Sequence, residues 1–116
     1  MHRPMDLLHA TDRAEWRAWL EANHAARSEI WLVFAKKHTG EPRVSYNDAV
    51  EEALCFGWID STARKVDDDH FAQRFSVRRP KSPYSRTNIE RLRHLAAEAK
   101  LRAPVLESVR ELLEIA

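Results

Sequence analysis

The sequence predicts an α+β domain, in which a small antiparallel sheet of three or four strands is packed by about four helices in two layers. Three observations carry that prediction. Period-two runs at 58–66 and 71–79 flank Asp67-Asp68-Asp69-His70, which is the pattern of a β-hairpin around a polar turn. Apolar residues recur at helical spacing over 12–23, 46–56, 83–100 and 104–115. The uninterrupted run Ile30-Trp31-Leu32-Val33-Phe34-Ala35 has the length and the β-branched and aromatic content of a strand buried on both faces. At 116 residues the chain is read as one domain, 1–116, with a single core.

Each element has a local reason. Leu7-Leu8 reads as an edge strand or a packed arm. Asp12 with Glu15 three residues on marks a helix start, and Trp16, Trp19, Leu20 and Asn23 then share one stripe. Such a stripe is read as core rather than as a ligand platform. The strand over 29–37 ends in Lys36-Lys37, and Thr39-Gly40-Glu41-Pro42 is turn chemistry. Ser45 caps the next helix with Asp48 in the acidic place of a capping box. Tyr46, Val50, Ala53, Leu54 and Gly57 lie on one face of it, and Gly57 is its left-handed stop. In the first hairpin strand Trp58, Asp60, Thr62, Arg64 and Val66 alternate with Ile59, Ser61, Ala63 and Lys65. In the second, Phe71, Gln73, Phe75 and Val77 alternate with Ala72, Arg74, Ser76 and Arg78. Pro80 ends that strand, and Ser82-Pro83 reads as an N-cap followed by the first helical residue. Ile89, Leu92, Leu95, Ala96 and Ala99 are expected on the inner face of a helix reaching Lys100. Ala103-Pro104 opens a last helix with Leu106, Val109, Leu112 and Leu113 inward.

Composition narrows the function classes. Hydrophobic residues at 44% and charged ones at 32% describe a globular chain, and a net charge of +1 points to no partner. The single Cys55 excludes an intrachain disulfide, and late in a helix it reads as buried filler rather than a nucleophile. The start lacks the apolar core of a signal peptide and no apolar run approaches the ~20 residues of a membrane span. The expected compartment is therefore the cytoplasm. Six histidines show no zinc-ligand spacing, and with only two glycines there is no phosphate-binding glycine loop. No metal and no cofactor are expected.

Chemistry concentrates between 74 and 93. Arg74, Arg78, Arg79, Lys81, Arg86, Arg91 and Arg93 are opposed there by Glu90 alone. Free amides at a helix start bind anions, and guanidinium forks match phosphate or carboxylate. The expected ligand site gathers Trp58, Asp60, Arg74, Arg78, Lys81, Ser82, Ser85 and Asn88 around a small anionic group. The plainer reading is a solvated face partly paired with Asp67, Asp68 and Asp69. Asp60 is the carboxylate of interest, either as a general base or as a cross-strand partner orienting Arg74. Nucleic acid could track the same cations, with Tyr84 and Phe75 for stacking, but the near-neutral total and the lack of any nucleic-acid signature count against it.

Trp31-Leu32-Val33-Phe34-Ala35-Lys36-Lys37, then the stretch from Tyr46 to Ser61 with Ala53-Leu54-Cys55-Phe56-Gly57-Trp58-Ile59-Asp60 at its centre, then the stretch from Arg74 to Asn88 together resemble, within a similarity over residues ~12–101, bacterial YdeI/OmpD-associated-like (bacteriocin-protection) proteins. The resemblance implies a role in resistance to bacteriocins or cationic antimicrobial peptides, and it transfers no reaction or catalytic residue. Longer members of that family continue into a basic helical region beyond the helix expected at 83–100. The first functional expectation is a non-enzymatic module binding an anionic ligand. The alternatives are a small enzyme using Asp60 with Arg74 and Arg78 on an anionic metabolite, a nucleic-acid binder, and a protein–protein adaptor. An adaptor or an oligomer would show an exposed apolar surface on the terminal helix.

Overall fold

Four strands form one mixed sheet in the order β1-β2-β4-β3, with β1 at Leu7–His9, β2 at Glu29–Ala35, β3 at Trp58–Lys65 and β4 at His70–Val77. Four helices accompany it: α1 at Arg13–Asn23, α2 at Tyr46–Cys55, α3 at Arg86–Ala97 and α4 at Ala103–Leu113. The computed structural model describes residues 6–115; residues 1–5, read above for a leader, and Ala116 lie outside them. The α+β class and the helix count are as the sequence predicts. The sheet is not wholly antiparallel, because β1 runs parallel to β2 with Leu7 opposite Trp31. Parallel neighbours need a crossover, and α1 supplies it.

The main core lies between the sheet and the helices. Ile30, Leu32 and Phe34 of β2, Phe75 of β4 and Trp58 of β3 meet Trp16, Leu20, Leu54, Leu92, Leu95 and Val109 there. Trp31, Val33 and Ala72 form a second cluster on the other side of the sheet, with the Arg64 guanidinium 5.5 Å from the Trp31 ring centre. β2 is thus buried on both faces. The tryptophan stripe of α1 is core: Trp16 stacks on Trp19 at 5.7 Å, and its indole N–H donates to the Ala49 carbonyl at 2.9 Å. Asp12 caps α1 by accepting from the Glu15 amide at 2.8 Å, and Ser45 caps α2 by accepting from the Asp48 amide at 3.1 Å. Gly57 takes its left-handed turn (φ +76°), which lets the chain drop from α2 directly into β3.

Four local expectations are corrected. First, the alternation in β3 does not persist, since a bulge lies between Asp60 and Ala63. Asp60 faces Phe75, but beyond the bulge Ala63 faces Gln73 and Arg64 faces Ala72, so the phase shifts by one residue. The Gln73 side-chain amide donates to the Ser61 carbonyl inside the bulge at 2.9 Å. Second, α3 starts at Arg86 and not at Pro83, with Ser85 as its N-cap accepting from the Asn88 amide at 3.1 Å. Residues 79–82 form a turn instead, with the Ser82 amide donating to the Arg79 carbonyl at 3.0 Å. Arg78 holds the far side of that turn by donating to the Ser82 carbonyl. Third, α3 stops at Ala97. Ala99 is left-handed (φ +56°) and exposed, and the Lys100 amide closes the helix on the Leu95 carbonyl at 2.9 Å. Fourth, in α4 the inward stripe is Val105, Val109 and Leu113, leaving Leu112 exposed.

Candidate functional site

The end of β4, the loop 78–85 and the first turn of α3 enclose a shallow cleft of about 260 Å³ against the start of β3. It is lined by Ile59, Asp60, Arg78, Ser82, Pro83, Tyr84, Ser85 and Asn88. Five of the eight expected site residues therefore share one space. The local sequence explains the convergence: Ser85 fixes where α3 begins, so Asn88 lies one turn above it, and the 79–82 turn brings Ser82 back under Arg78.

Arg78 is the anchor of this corner. Its Nη2 donates to the Ser82 carbonyl, and its guanidinium lies 4.0 Å from the centre of the Tyr84 ring, a cation–π contact. Its Nε is buried and has no hydrogen-bond partner among the described residues. Burial pushes the half-buried Tyr84 phenol up, against the opposing influence of the Arg78 charge. On the other wall the Tyr46 hydroxyl donates to Asp60 Oδ2. Burial first, and that bond second, push the Tyr46 phenol up to about 12. Arg91 ties the first turns of α2 and α3 together, donating from Nε to Asn47 Oδ1 and from Nη1 to Asn88 Oδ1, both at 3.0 Å. Two helix N-termini, each a partial positive charge, accordingly border the same region.

The remaining three expected residues stand elsewhere. Trp58 is fully buried in the main core and does not line the cleft. Lys81 is exposed outside the lining. Arg74 sits opposite Trp31 and so on the other face of the sheet, where its Nε donates to Glu29 Oε2 at 2.6 Å. Asp60 pairs with Phe75 on the helix side. Period two places these neighbours on opposite faces, so the expected Asp60–Arg74 pairing does not form.

The hairpin-tip aspartates also have other partners. Asp67 meets His70 at 2.8 Å, Asp69 meets His38 at 2.8 Å and Asp68 meets Lys65 at 3.0 Å. They neutralise none of the cations of the corner. Among the described residues Arg78, Arg79, Lys81, Arg86, Arg91 and Arg93 form no ion pair with a carboxylate. Phe75, named above as a stacking residue, is fully buried, and the Tyr84 ring is already covered by Arg78.

One charged cluster is not among the residues read above as functional. Glu52 is 2% exposed and accepts from Arg13 Nε at 2.7 Å and Arg17 Nη1 at 2.8 Å. Arg13 also reaches Glu51 and Asp48, both at 2.9 Å. Burial works against the Arg13 charge, but the Glu52 and Glu51 hydrogen bonds outweigh it and raise its pKa. The signal was available: Arg13 and Arg17 are four apart on α1, as Asp48 and Glu52 are on α2. The cluster fastens α1 to α2. Beside it, burial pushes the Cys55 thiol up to about 11, which makes it inert at neutral pH.

Among the described residues no group of His, Cys, Asp and Glu could hold a metal ion, and no helix is long and apolar enough to cross a membrane. Fold and site together define a small α+β domain with a polar cleft, lined by Arg78 and Asp60, at a hairpin-to-helix corner. The chain belongs to the family described as Domain of unknown function (DUF8412), whose model matches residues 8–108. No curated protein and no solved structure matches it.

Proposed function

We propose that the protein is a binding module for a small anionic ligand, phosphate or carboxylate, held in the cleft at Arg78, Ser82, Ser85 and Asn88. The observation that carries this reading is the unneutralised charge. Among the described residues Arg78, Arg79, Lys81, Arg86 and Arg91, between the end of β4 and the second turn of α3, have no carboxylate partner. The alternative enzyme loses Arg74 from its constellation, because that side chain serves Glu29 across the sheet. An adaptor or oligomer would instead use the exposed Leu112 and Ile115 of the terminal helix region.

A role in bacteriocin or antimicrobial-peptide protection follows from the resemblance, and the corner constrains how it would operate. Its cations repel a cationic peptide, so protection through this site acts by way of an anionic ligand. Isothermal titration of inorganic phosphate into the wild type and Arg78→Gln tests the binding. The wild type should show saturable binding at least ten-fold tighter than the variant. Equal, near-zero heats from both proteins end the proposal.

A further inference from the structure

We infer that the occupant of the cleft is a small zwitterion, with a phosphate or carboxylate at one end and a protonated amine at the other. This rests on the anion-binding reading and narrows it. Asp60 and Arg78 line the same cleft and carry opposite charges, but they form no ion pair. Each is held by a different partner: Asp60 through Oδ2 by the Tyr46 hydroxyl, Arg78 by the Ser82 carbonyl and the Tyr84 ring. Among the described residues Asp60 Oδ1 accepts no hydrogen bond.

An anion at Arg78 shares the cleft with the Asp60 carboxylate, which weakens its binding without abolishing it, because like charges in a partly desolvated site repel. A simple cation meets the reverse problem at Arg78. A zwitterion satisfies both walls, with a guanidinium–anion contact at one end and a charge-assisted ammonium–carboxylate bond at the other. Ser82, Ser85 and Asn88 add neutral hydrogen-bonding groups to the lining. At about 260 Å³ the cleft falls below the usual ~300–1,000 Å³ of ligand pockets, which suits a short two-ended molecule. Leaving Asp60 unpaired is what would reject the amine-free analogue.

Two matched pairs test this by isothermal titration at low salt: phosphoethanolamine against ethyl phosphate, and β-alanine against propionate. The wild type should bind the amine-bearing member of at least one pair ten-fold or more tighter than its amine-free partner, and the pair that responds identifies the anion. Asp60→Asn, isosteric and still able to accept from Tyr46, should bring the two members within about two-fold. If each amine-free anion binds as tightly as its partner, the zwitterion inference falls and the anion site stands. If none of the four binds, both fall. The wild-type comparison is decisive by itself, so a variant that fails to fold does not change the outcome.

Discussion

The Glu52 cluster gives the most direct test of how this fold is fastened. Glu52→Gln keeps the shape of the side chain and removes the charge that two arginines share. Breaking a fully buried ion pair from one side costs roughly 3–5 kcal/mol. Here Arg13 and Arg17 keep 30% and 35% of their side-chain surface in water, and both retain other acidic partners. Solvent screening and those partners reduce the expected loss to about 2 kcal/mol. For a chain of this length that is about 8 °C in Tm, at about 4 °C per kcal/mol. Urea unfolding should show a lower midpoint at unchanged slope, because the surface exposed on unfolding is the same. Glu21→Gln is the control: its pair with Arg17, at 3.4 Å, is on the surface and worth at most about 0.5 kcal/mol. If the two substitutions cost the same, the α1–α2 ion cluster does not fasten the fold and the reasoning fails.

Two further outcomes follow from local geometry. Ala99→Gly removes the Cβ clash of a left-handed residue and should stabilise the protein by about 0.5–1 kcal/mol after the entropy of glycine is offset, whereas a lower Tm would refute a strained helix stop. At the hairpin tip, Asp67 chiefly holds the His70 imidazole above its ordinary 6.5, and His70 chiefly holds Asp67 below 3.8. The His70 contribution is complete below pH 6.5 and lost as pH rises through its raised value; that of Asp67 is complete above 3.8 and lost as pH falls through its lowered one. Between these limits the tip is held best. NMR titration should find the His70 pKa raised in the wild type and lowered by Asp67→Asn; an unchanged His70 would show that the 2.8 Å contact does not persist in solution.

Much of the fold was legible because its signals are local. Ser45, Asp12 and Gly57 each act within a few residues, and the structure has the first two as N-caps and the third left-handed, while the Asp48 carboxylate serves Arg13 and does not close a capping box. Ser82-Pro83 shows the limit of such signals. It has the composition of a helix start, yet Arg78 captures the Ser82 carbonyl into a turn and the helix waits for Ser85. The β3 bulge is equally silent in sequence, since one extra residue reverses every later side chain without changing composition.

The candidate site divides the same way. The chain by itself determined that cations cluster between 74 and 93 and that Ser85 and Asn88 stand beside them, because charge and capping are properties of residue types. Tertiary structure alone decided which of them share a space. Strand pleating sent Arg74 to the far face and Trp58 into the core, packing set Asp60 against Tyr46, and hairpin length carried the three aspartates to the opposite end. Those outcomes depend on contacts between residues far apart in the chain, and pairwise distance across a fold is not encoded in any single stretch of it.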